Sequence, residues 1–197
     1  MVRQPGHAIW TILVLCLGIG CTNHVPSHQS KSPVVARSTV AAIQAASRHV
    51  SVTCSESVEG PLQKGWQEQS VTLGPIAFHD LLDAASQPPA TFQIGSDGRF
   101  GAFKTIAVVR AGAVVTVSVP AKDRFHYGLA YGQEGHRDSF LLTDAAASVT
   151  FHACPSHETQ FSGGIVVVGP RCIQLTASAP GGERWQEIVK FARHSCS

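Results

Sequence analysis

Alternation with period two is the feature that most limits what this chain can become. In "VVTVSVP", Val115, Val117 and Val119 alternate with Thr116 and Ser118. A strand sends successive side chains to opposite faces, so this spacing puts one face on a core and the other in water. The theme recurs in "SVTFHA", where Val149 and Phe151 oppose Thr150 and His152, and in "FHYGLAY", where Phe125, Tyr127, Leu129 and Tyr131 share a face. "VTLGPIAF", "TFQI", "FLLT", "GIVVV", "CIQLTAS" and "EIVKFA" read as further strands. Residues 103–110 read as one strand, and Gly112 supplies the turn of a hairpin joining it to 115–119. Pro120 offers no ladder donor and ends the second strand. Turn signals punctuate the runs at "GSDG", "GQEG" and "APGG". Short strands at such spacing predict an all-β domain over residues 50–197, an antiparallel β-sandwich of immunoglobulin-like or jelly-roll-like topology.

Composition agrees with that class. Hydrophobic residues make up 44% of the chain and charged residues only 14%, so Gly, Pro, Ser, Thr and His supply much of the remainder. A net charge of +2, with no run of Lys and Arg, argues against a nucleic-acid partner.

The N-terminus reads as an export signal over residues 1–20. Arg3 precedes the uncharged run "AIWTILVLCLGI". That run falls short of the about 20 residues a membrane-spanning helix needs and suits the apolar core of a signal peptide. Gly18, Gly20 and Cys21 follow. This ending resembles a bacterial lipobox, in which the first mature cysteine is acylated. The lipobox prefers Leu three residues before the cysteine, where Gly18 stands here; Leu17 lies one place further back. The resemblance implies a membrane partner, reached through a lipid on Cys21 at the outer face of the cell membrane; the alternative is secretion. Residues 21–49 are polar at first, with Pro26 and Pro33, and read as a flexible tether with a short helix possible over 34–46.

Cysteine parity points the same way. Of the six cysteines, Cys16 leaves with the signal and Cys21 takes the lipid. Cys54, Cys154, Cys172 and Cys196 remain, an even set that suits a disulfide framework in an exported chain. Four cysteines allow three pairings. Counting by twos puts Cys154 and Cys172 on outward faces near strand ends, which favours Cys154–Cys172, with Cys54–Cys196 tying the first strand to the last.

Other chemistry finds less support. "HACPSH" offers His152, Cys154 and His157 as metal ligands, yet the spacing matches no structural zinc signature. His79, His126 and His136 are further candidates for a surface metal or catalytic cluster. No G-x-S-x-G elbow is present. Ser96 and Asp97 sit in a turn sequence, the adjacent pair His79–Asp80 would face apart on a strand, and neither it nor His136/Asp138 has an identifiable third partner. Nothing calls for a cofactor. Tyr127 and Tyr131 share parity with core residues, which leaves Trp66, in "QKGWQEQ", as the aromatic expected to be exposed; Trp185 is the remaining aromatic candidate. The expected function is therefore a non-catalytic binding or interaction domain; the alternative is an extracytoplasmic enzyme or metal-binding protein using surface histidines.

The run Cys154-Pro155, Thr159-Gln160-Phe161, Gly163-Gly164, Val167 and Gly169-Pro170-Arg171-Cys172 resembles the C-terminal part of a group of small exported proteins of unknown function from actinobacteria. The resemblance extends from about Val71 to the closing "FARHSC". It implies an exported β-domain and carries no catalytic residue with it.

Overall fold

The computed structural model describes residues 47–87, 101–136, 141–192 and 195–196. The expected signal, Cys21, the tether as far as residue 46, and the "TFQI" and "GSDG" runs lie outside the described residues. Twelve strands are described: β1 (His49–Val52), β2 (Val71–Leu73), β3 (Ile76–Phe78), β4 (Gly101–Lys104), β5 (Ala107–Val109), β6 (Val114–Ser118), β7 (Tyr127–Tyr131), β8 (Ser148–His152), β9 (Thr159–Phe161), β10 (Gly163–Val167), β11 (Arg171–Ser178) and β12 (Arg184–Phe191). Helical structure among the described residues is confined to 3-10 turns of three to five residues, and no helix there is long and apolar enough to cross a membrane.

The strands form three sheets, ordered β1-β8-β6-β11-β12, β4-β10-β7 and β2-β3-β5-β9. Every pairing is antiparallel except β1 with β8, which run parallel from His49↔Ser148 to Val52↔Phe151. The purely antiparallel expectation is corrected there. One core joins the sheets: Val52, Phe78, Val109, Val117, Leu129, Phe151, Phe161, Ile165, Leu175 and Phe191 all belong to it. At its centre Tyr131 lies edge-on to Phe151 at 5.1 Å, and Phe151 meets Phe161 at 5.4 Å. Such pairs add about 0.5–1.5 kcal/mol each beyond burial.

The alternation of β6 and β8 is as expected, with Val115, Val117, Val149 and Phe151 fully buried. Elsewhere the period misled. Residues 103–110 form two strands in different sheets. The backbone N–H of Thr105 still donates to Gly163 O, while the next carbonyl, of Ile106, accepts from His79 N–H, so the chain changes sheet between them. The expected hairpin between this segment and β6 is absent, because β5 pairs with β3 and β9 while β6 pairs with β8 and β11. A turn closed by Ala113 N–H to Arg110 O carries the chain between the two sheets instead. "VTLGPIAF" is a hairpin, not one strand, with Leu73 opposite Ile76. "LLT" of "FLLT" is a turn, in which the Asp144 carboxylate accepts from Leu141 N–H at 2.9 Å. Phe125 does not join the core; it precedes β7 and is 52% exposed.

The cysteine pairing is also corrected. Cys54 bonds Cys154 and Cys172 bonds Cys196, with Cα separations of 4.8 and 5.8 Å. Topology gives the reason. β6 lies between β8 and β11 and is antiparallel to both, so β8 and β11 are parallel. Cys154, just beyond the end of β8, and Cys172, at the start of β11, therefore sit at opposite ends of the sheet. β1 and β12 are its two edges, roughly 19 Å apart at about 4.8 Å per strand, which rules out Cys54 with Cys196. The parallel β1–β8 pair brings Cys54 and Cys154 out at one end, and the β11–β12 hairpin brings Cys172 and Cys196 together at its open end. Cys154, expected to face outward, is 2% exposed; β8 stops at His152, so its alternation does not extend to residue 154.

Candidate functional site

The outer face of the β2-β3-β5-β9 sheet carries a groove. Its register sets out rows of outward side chains. Thr72, Ala77, Val108 and Gln160 are cross-strand neighbours. Two residues further along the same strands come Pro75, Arg110 and Glu158, and the N–H of Arg110 donates to Pro75 O at 2.9 Å. In the opposite direction comes His79. Small side chains in the middle row, between larger ones at each end, make the surface concave. Ala77 and Val108 form a floor only 9% and 3% exposed, although both face away from the core. Trp66 and Gln67 wall one end and Arg110 and Glu158 the other, around a space of about 160 Å³.

Each wall is held in place. Trp66 opens a 3-10 turn, Trp66–Gln69, whose carbonyl at Trp66 accepts from Ser70 Oγ at 2.8 Å. The indole is half-buried and stacks on the His79 ring, centroids 6.1 Å apart and planes 26° from parallel. His79 Nδ1 lies 2.8 Å from Asp80 Oδ2. The sequence expectation that these two side chains face apart is corrected: β3 ends at Phe78, and Asp80 adopts φ 58°, so strand alternation no longer applies. Asp is among the residues that tolerate this left-handed conformation. His79 is 15% exposed and Asp80 50%, so the carboxylate is largely in water.

At the other wall, Arg110 and Glu158 are both exposed. Glu158 lies in the connection between Cys154 and β9, which is tightly fixed: Thr159 Oγ1 accepts from Cys154 N–H at 2.7 Å and Gly112 N–H donates to Cys154 O at 2.8 Å. Gln160 Nε2 donates to Gly60 O at 2.7 Å and Val58 N–H to Gln160 O at 2.9 Å, so residues 58–60 run along the far edge of β9. The hairpin turn at Gly74-Pro75 completes the lining. Gly74 has φ 60°. Proline cannot take positive φ, so only the II′ turn, with Gly first, fits these two residues. A Cβ on Gly74 would run into the ring of Trp185, which is half-buried against the core.

The remaining sequence candidates do not gather here. His152 is half-buried on the outer face of β8, and His126, His136 and His157 are exposed. His157 Nδ1 lies 3.1 Å from Ser156 Oγ. Cys154 is oxidised, so the His152/Cys154/His157 set that the sequence offered as a weak metal candidate has no thiolate. Among the described residues, no group of three His, Cys, Asp or Glu side chains stands ready to hold a metal. Ser96, Asp97 and Asp138 lie outside the described residues. Tyr127 and Tyr131 are buried. Tyr127 OH donates to Gln174 O and accepts from Gln174 N–H, both at 3.1 Å, and Tyr131 OH donates to Thr105 O at 3.2 Å.

Arg110, Glu158 and the floor residues were not among the sequence candidates. A signal was present: Ala77 and Val108 are apolar at positions whose parity faces outward, and small apolar residues there mark a covered or concave face. No family model, no curated protein and no solved structure matches the chain.

Proposed function

We propose that the chain is an exported, lipid-anchored, non-catalytic binding domain, and that the groove on the β2-β3-β5-β9 sheet is its binding site. In this reading residues 1–20 are the signal, Cys21 carries the lipid, residues 21–49 tether the domain, and residues 50–197 form a sandwich of immunoglobulin-like or jelly-roll-like type. The kinship with the actinobacterial exported group belongs to the same reading. The observation that carries it is the groove itself: an apolar floor, an aromatic wall and two charged side chains on fixed elements, the arrangement small-ligand sites share. The two disulfides support export, because such bonds persist in oxidising compartments.

The His79–Asp80 contact favours a second reading, an extracytoplasmic enzyme. It gains little from the geometry, since the Asp80 carboxylate stands half in water, whereas a catalytic relay buries it.

Two measurements test the proposal. Acyl labelling and membrane fractionation of Cys21→Ala are expected to lose the lipid and release the chain; unchanged labelling removes the anchor. Immobilised chain is expected to retain cell-envelope material that Trp66→Ala does not; equal retention by both removes the groove as the site.

A further inference from the structure

We infer that the groove binds a single neutral sugar ring, a residue of an envelope glycan, with its C–H face on Trp66 and the floor and its hydroxyls on Arg110 and Glu158. The inference rests on the binding reading proposed above and names its ligand class.

Size comes first. Sites for drug-sized ligands run to about 300–1,000 Å³, whereas this groove encloses about 160 Å³. That space matches one ring, and a larger ligand would extend beyond it. Along the strands, the four residue steps from the His79 row to the Pro75 row span roughly 13 Å at about 3.3 Å per residue. A ligand lying there meets the apolar middle row and reaches both walls.

Chemistry comes next. Ala77 and Val108 give a floor with no hydrogen-bonding side chain, and Trp66 gives an aromatic wall braced by His79. Together they call for a ligand with a continuous apolar face. At the far wall stand a five-donor guanidinium and a two-oxygen carboxylate, one a pure donor and one a pure acceptor. Arg110 and Glu158 form no ion pair with any described residue. Their charges cancel, and both are exposed, so solvent screens them and they hold an ionic ligand weakly. A hydroxyl both donates and accepts and suits the pair without needing charge. A pyranose is a small neutral ring that combines an apolar C–H face with a hydroxyl edge. A zwitterion of the same size, such as a glycine dipeptide, has the polar ends without the apolar face.

Saturation-transfer NMR on the purified full-length chain tests this with methyl α-glucoside, methyl α-mannoside, N-acetylglucosamine and glycylglycine as probes. Transfer to the ring C–H protons of at least one sugar is expected. Losing about 1 kcal/mol of contact with Trp66→Ala should cut affinity roughly five-fold, with Trp66→Phe retaining most of it. Arg110→Ala, at an exposed position, should weaken binding comparably, and it decides the matter should Trp66→Ala fail to fold. Silence from every sugar, equal transfer in the variants, or a preference for glycylglycine overturns the inference. Retention of envelope material that still depends on Trp66, with no sugar response, overturns the ligand class and leaves the binding reading standing.

Discussion

At the scale of single residues, Tyr127 links the core to pH. Burial is the main cause that pushes its phenol from 10.0 to about 12, and the nearby Asp123 carboxylate adds to it, against the opposing donation from Gln174 N–H. Burial raises Tyr131 well above 10.0 as well. The folded chain therefore holds these protons more tightly than the unfolded chain does. Their contribution to stability is intact below pH 10.0, the unfolded value, and for Tyr127 is lost as pH climbs through about 12. The chain has two tyrosines, so phenolate absorbance reports these alone. It should stay silent near pH 10 and rise together with loss of the β-type circular dichroism. A phenolate step near pH 10 with the dichroism intact would contradict the packing described. Gly74 gives a second test. Gly74→Ala forces a Cβ into the Trp185 ring and places a non-glycine residue at φ 60°. Overpacking and backbone strain together should cost about 2–4 kcal/mol. Gly169 has φ 68° with nothing within 4 Å of its Cβ position, so Gly169→Ala should cost only the backbone part, about 1 kcal/mol. Urea titration should show both as lower midpoints at unchanged slope; equal losses would remove the Trp185 contact as the cause.

Elements carry the disulfides, and the two bonds differ in what they close. Cys54–Cys154 spans 100 residues and Cys172–Cys196 spans 24. In the chain-entropy model these loops correspond to about 4.7 and about 3.4 kcal/mol. Cys54→Ser/Cys154→Ser is therefore expected to lower stability more than Cys172→Ser/Cys196→Ser, measured by denaturant titration. Peptide mapping without reductant should return the two linked pairs; a Cys154–Cys172 peptide would refute the topology that separates them. That topology marks where sequence stops being informative. The strand character of β6, β8, β10, β11 and β12 was legible, because side-chain alternation or a long apolar run is local. Partner choice is not local. Nothing near His49 says that β1 pairs in parallel with a strand 99 residues later, and without that pairing the cysteines cannot be assigned. The break at Thr105–Ile106 was hidden for a similar reason: both halves are strand-like, and only the donors and acceptors of different sheets divide them. The candidate site was legible only in part. Trp66 stood out by type, but its bracing by His79 depends on the turn geometry at Asp80, and Arg110 and Glu158 are brought to one wall only through the β5–β9 register.

For the whole molecule, connectivity sets the order in which it can be built. β11 and β12 are joined by a short turn and pair over eight residues, from Arg171↔Phe191 to Ser178↔Arg184. β1, by contrast, has β8 as its only ladder partner among the described strands. Long-range pairing must bear its loop-closure entropy before contacts repay it. Closing 100 residues rather than 24 costs about 1.3 kcal/mol more, roughly an eight-fold handicap. The hairpin adds to the advantage, since its register aligns Cys172 near the strand that leads to Cys196. Oxidative refolding should therefore form Cys172–Cys196 first and Cys54–Cys154 later, once β8 is in the sheet. Cys16→Ser/Cys21→Ser leaves only the four framework thiols to follow. Acid quenching, alkylation and peptide mass mapping at successive times read the order directly. Early one-disulfide species should be dominated by Cys172–Cys196. If Cys54–Cys154 accumulates first, β1 and β8 dock before the C-terminal hairpin, and the sheet grows from its parallel edge.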